Sequence, residues 1–78
     1  MTYYKVETDD WVDDNIFKTL RDAKNHVWSN FTDKEKMKYF NNYENAVISK
    51  LNSEGDILTQ TPFVCDEKGT HYGRSFKI

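Results

Sequence analysis

Five carboxylates fall within eight positions of the stretch ETDDWVDD: Glu7, Asp9, Asp10, Asp13 and Asp14, with Trp11 at their centre. Carboxylates at this density could hold a hard cation, since calcium takes about 6–8 oxygens at roughly 2.3–2.6 Å. A calcium loop of the EF-hand type sets its ligands at alternate positions around a glycine. Here the aspartates come as two adjacent pairs, no glycine intervenes, and no acid occupies the closing position. The stretch is therefore not expected to bind a metal.

Trp11 changes what the acids could do. A tryptophan in a polar stretch either anchors in the core or stands out as a binding hot spot. If exposed, it would be framed by Glu7, Asp9, Asp10, Asp13 and Asp14 as the rim of a surface that draws in a basic protein partner. If buried, the acids are a solvated loop held by an anchor. With only three Leu and four Ile in 78 residues, the core needs aromatic volume, which favours the anchor.

Nucleophilic chemistry would need Cys65 beside His26 or His71. These three residues come from distant segments without a local signature, and they make too few ligands at the wrong spacing for zinc. Cys65 reads as a small buried hydrophobe, His26 as the border of a helix stripe, and no enzyme activity or cofactor is expected. Phosphate cradling is equally unsupported, because Gly55, Gly69 and Gly73 do not precede a helix.

Basic residues interleaved with aromatics offer a different chemistry. Lys34, Lys36 and Lys38 adjoin Tyr39 and Phe40, while Arg74 and Lys77 adjoin Tyr72 and Phe76. Such sets can neutralise phosphates and stack bases. The C-terminal set shares one face only if Gly73 does not bulge. A net charge of −2 and a pI near 5.6 favour the plainer reading, a lysine-covered helix exterior and a core-facing strand.

The charge is unevenly placed, with five acids and one Lys in residues 1–17 and most cations after them. Separate acidic and basic patches can result. A lone cysteine excludes an internal disulfide. Without a signal-like or long apolar segment, a cytoplasmic, intracellular chain with no membrane association is expected.

The elements that must position these groups follow from periodicity. TYYKVE (2–7) alternates as a strand. Phe17, Leu20, Val27 and Phe31, with Ala23 and Trp28 beside them, form a helical stripe. Thr19 and Asp22 resemble a capping box for a start near residue 19 or 20, although Asp14 or Asn15 could cap an earlier one, and the end is expected near Asn30. Thr32 and Glu35 cap a second, short helix with Met37 and Phe40 turned inward. NAVISKL (45–51) and ILTQT (57–61) read as one hairpin, PFVC (62–65) and THYGRSFKI (70–78) as another. Pro62 should mark a strand start, a bulge or an edge.

The run FKTLRDAK followed by AVISKLNSEGDILTQ resembles small uncharacterised strand-helix-hairpin proteins of bacteria and phages. The resemblance implies a fold type and carries no functional residues. Residues 1–78 are thus expected to form a single compact α+β domain. An antiparallel sheet of about four strands carries one or two helices on one face, in the order β-α-α-β-β-β. The expected function is a noncatalytic protein-interaction module with a basic partner. Its narrower form is a phage or mobile-element inhibitor of a host nucleic-acid-binding protein. The alternative is a small nucleic-acid-binding domain using Lys34, Lys36, Lys38, Arg74 and Lys77. Free sheet edges allow a monomer or a homodimer.

Overall fold

The computed structural model describes residues 1–77. Its elements are β1 (Thr2–Thr8), α1 (Leu20–Asn30), α2 (Asp33–Tyr39), β2 (Ala46–Asn52), β3 (Ile57–Asp66), β4 (Gly69–Tyr72) and β5 (Phe76–Lys77). The fold is α+β, with all strand pairs antiparallel and the order β1-β2-β3-β4, β5 also pairing with β3.

Both helices start where local chemistry sets them. Thr19 Oγ1 accepts the Asp22 amide at 3.1 Å. Thr32 and Glu35 form a complete capping box: the Glu35 amide donates to Thr32 Oγ1 at 3.1 Å, and the Thr32 amide donates to Glu35 Oε1 at 2.9 Å. Each such cap is worth about 1 kcal/mol, which matters most for a seven-residue helix.

β3 departs from the expected pair of hairpins. Ile57–Asp66 is one ten-residue strand that runs straight through Pro62. The proline carbonyl accepts the Gly73 amide at 2.7 Å. In a strand the N–H and C=O of one residue point the same way, so the missing donor also faces Gly73. The ladder is already broken there: Phe63 pairs with Tyr72, but Gln60 pairs with Phe76, a slip of one residue across Gly73–Ser75. Pro62 is accommodated because it faces a bulge. Gly73 suits that bulge, since a Cβ would lie 3.1 Å from the Tyr43 ring and 3.3 Å from Pro62 Cβ, so a larger residue would have to displace them by a few tenths of an ångström.

The helices cover one face of the sheet. Val6, Ile48, Ala46, Phe63 and Cys65 meet Ala23 and Val27 of α1 and Phe40 at the end of α2 in a buried cluster. Phe40 is its hub, stacked on Phe63 with centroids 5.1 Å apart and edge-on to Phe31 at 5.1 Å. Phe40 of the expected inward pair is buried, but Met37 is exposed, and Lys36 takes its place on the inward side of α2. The Lys36 stem lies along the core edge while its ammonium sits 3.9 Å above the Trp28 ring, so a cation can occupy an apolar position.

The outer edge of β1 is closed by the segment that follows it. Tyr4 and Phe17 exchange both backbone bonds, at 2.7 and 2.9 Å. The Asp13 amide donates to Val6 O at 2.9 Å, and the Thr8 amide donates to Trp11 O at 2.8 Å. The acidic stretch therefore doubles as an edge cover, and β4 with β5 forms the opposite edge.

Candidate functional site

The structure divides the acidic stretch. Trp11 turns inward, its ring stacked on Phe31 at 5.6 Å and edge-on to Tyr39 at 5.5 Å and Phe40 at 6.3 Å. It is a half-buried anchor of the core, not an exposed platform. Asp13 also turns inward, and its Oδ2 lies 2.9 Å from His26 Nε2. The Asn30 side-chain amide donates to His26 Nδ1 at 3.2 Å, which leaves the Nε2 proton for Asp13. Asp13 Oδ1 accepts the Asn15 backbone and side-chain amides, both at 2.8 Å. Burial pushes the Asp13 carboxyl up, yet the Asn15 and His26 bonds together outweigh it and hold the group below its ordinary value.

The remaining acids separate. Glu7 lies on the uncovered sheet face, where its Oε2 accepts Ser49 Oγ at 2.8 Å and Gln60 Nε2 at 3.3 Å. Glu7, Asp9 and Glu44 line a hollow of about 240 Å³, and Asp9 and Asp10 meet Lys38 and Tyr39 in a neighbouring one of about 180 Å³. Asp14 is exposed and lines neither hollow. Glu7, Asp9, Asp10, Trp11, Asp13 and Asp14 thus do not form one continuous surface. Among the described residues, no group of three or more His, Cys, Asp or Glu is placed to hold a metal ion.

The two basic sets do not converge either. Lys34 is exposed, Lys36 is buried over Trp28, and Lys38 lies 5.1 Å over the Tyr39 ring beside the aspartates. Arg74 precedes β5, whose Lys77 pairs with Thr59, while α2 ends at Phe40 with its carbonyl on the Cys65 amide. Thr59 and Cys65 are six residues apart on one strand, roughly 20 Å at about 3.3 Å per residue. The slip at Gly73 also sets Tyr72 on the helix face with Phe63, and Phe76 on the opposite face with Gln60.

The exposed tryptophan is Trp28, 39% accessible. It forms one wall of a hollow of about 330 Å³ between α1, α2 and the β3–β4 turn. Met37, 64% accessible, lies on the same hollow, with Cys65 also lining it and Asp33, Asp66 and Glu67 around it. Lys36 is the one cation there among the described residues, and it is engaged by the Trp28 ring and by Asp33 at 3.8 Å. Burial pushes the Cys65 thiol up, which suits an apolar lining atom better than a nucleophile.

This corner was missed from sequence because Trp28 sits beside the α1 stripe and Met37 has apolar spacing. The available signal was an apolar count too large for one helix face. Among the described residues, no helix is long and apolar enough to cross a membrane. No protein-family model, curated protein or solved structure matches the chain.

Proposed function

We propose that this chain is a noncatalytic protein-interaction module that receives a basic, apolar-tipped segment of another protein in the Trp28 hollow. One observation carries the reading: Trp28 and Met37, both exposed, line one hollow together with three carboxylates. Aromatic side chains and Met are enriched at interface centres, and a carboxylate rim steers a cationic partner toward them. The partner expected from sequence is kept, but its docking surface moves from Trp11 to Trp28. The narrower role, a phage or mobile-element inhibitor, draws on the same acidic rim and is tested by the identity of the partner.

Selection of displayed random peptides against the folded protein tests the reading. Enriched peptides should pair an apolar residue with Lys or Arg, and Met37→Asp or the double change Asp66→Lys, Glu67→Lys should abolish their binding. Retained binding in both variants would overturn it, as would a selection that enriches no common sequence.

A further inference from the structure

On the other side of Trp28 the charge reverses. Arg21, Lys24 and Trp28 recur at helical spacing on α1, and Lys68, Thr70 and Tyr72 lead up β4, which packs beside it. Lys24, Trp28, Lys68 and Thr70 line one hollow of about 240 Å³, and among the described residues no carboxylate lines it. Tyr72 is 40% accessible. Arg21 lies one helical turn before Lys24 on the same face of α1, and its charge offsets part of the upward push that burial gives the Tyr72 phenol. Lys24, Lys68 and Trp28 share that hollow, with Arg21 one turn back along α1 and Tyr72 further along β4. From Arg21 to Trp28 the α1 side of this groove spans roughly 10 Å at about 1.5 Å per helical residue.

We propose that this groove between α1 and β4 binds single-stranded nucleic acid. The cations would neutralise successive phosphates while Trp28 and Tyr72 stack bases, the two elements that sequence-tolerant single-strand sites combine. A duplex hides its bases and would forfeit the stacking, and an acidic peptide would engage the cations without using the ring faces. Neither rings nor cations read the 2′-hydroxyl, so RNA and DNA should bind alike. The site differs from the basic sets named from sequence: none of Lys34, Lys36, Lys38, Arg74 or Lys77 belongs to it. Trp28 is the one residue that lines both hollows; Met37 lines only the protein-docking one, and Asp66 and Glu67 precede Lys68 in the same turn.

Fluorescence anisotropy with labelled oligothymidylate and oligouridylate of about ten nucleotides tests the proposal. Both should bind saturably at low salt, with a log–log salt slope of about −2 for three phosphate contacts. Lys24→Gln and Lys68→Gln should each make the slope shallower by about 0.7. Tyr72→Ala should weaken binding about fivefold or more at unchanged slope. Met37→Asp should leave oligonucleotide binding intact even where it abolishes peptide binding, so the two sites fail separately. Far-UV circular dichroism verifies the fold of each variant, and Lys68→Gln in the exposed turn serves if Tyr72→Ala does not fold. The proposal is overturned by no binding at low salt, by a slope unchanged in the Lys24→Gln, Lys68→Gln double variant, or by equal affinity for duplex or polyglutamate.

Discussion

Trp11 belongs to the aromatic layer and Trp28 lies outside it, and their surroundings are arranged in opposite senses. Around Trp11 the protein closes in: Phe31, Tyr39 and Phe40 contact the indole, the acidic stretch bonds to the edge of β1, and Asp13 is tied to His26. Around Trp28 it stays open, with two hollows that both include this residue, one lined with carboxylates and the other with lysines. The comparison teaches that dense charge near an aromatic residue does not by itself make a recognition surface. What matters is whether neighbouring backbone and rings have already used that residue.

Substitutions sharpen the contrast, beginning with the greatest effect. Trp11→Ala removes the ring that joins the acidic stretch to the core and should cost about 3 kcal/mol. In a domain of this size that lowers Tm by roughly 12–24 °C in a thermal melt. Asp13→Ala leaves the His26 ring without its acceptor and frees the Asn15 turn, with an expected loss of about 2 kcal/mol in urea unfolding. Trp28→Ala should cost only about 1 kcal/mol yet remove both peptide and oligonucleotide binding. Exchanging Asp9, Asp10 and Asp14 for Asn should leave stability within about 0.5 kcal/mol per site. A large loss there would erase the distinction between tied and solvated acids.

Acid titration probes the closed corner separately. The Asp13 carboxyl is held below its ordinary value of about 4, so in that range the unfolded chain binds more protons than the folded one. Its contribution is fully present above about pH 4 and is lost as pH falls through the folded-state value. Asp13→Asn should make the acid limb of the stability profile shallower. Asp66, held low by its hydrogen bond to His71, supplies part of the slope that remains.

How much of this was legible depended on range. Both helix starts rest on bonds between residues three apart, at Thr19 with Asp22 and Thr32 with Glu35, so spacing alone revealed them. The fold class followed from periodicity in the same way. The unbroken β3 was not legible, because Pro62 is tolerated only through a bulge made eleven residues later at Gly73. On α2 Phe40 was legible as a core residue, but the exchange of Met37 for Lys36 was not, because the lysine stem substitutes for an apolar side chain only once Trp28 receives its charge. The proposed docking surface differs from the expected one for a related reason. The scarcity of aliphatic residues favours the anchoring of Trp11, but its partners Phe31, Tyr39 and Phe40 lie twenty or more residues away, and nothing near Trp28 in sequence marks it as the exposed ring.

Single-tryptophan fluorescence tests the central assignment most directly. With Trp11→Phe, the remaining Trp28 should emit at longer wavelength, be quenched by acrylamide and respond when a selected peptide or oligothymidylate is added. With Trp28→Phe, the remaining Trp11 should emit at shorter wavelength, resist the quencher and ignore both ligands. A protected, silent Trp28 beside an accessible, responsive Trp11 would contradict the account.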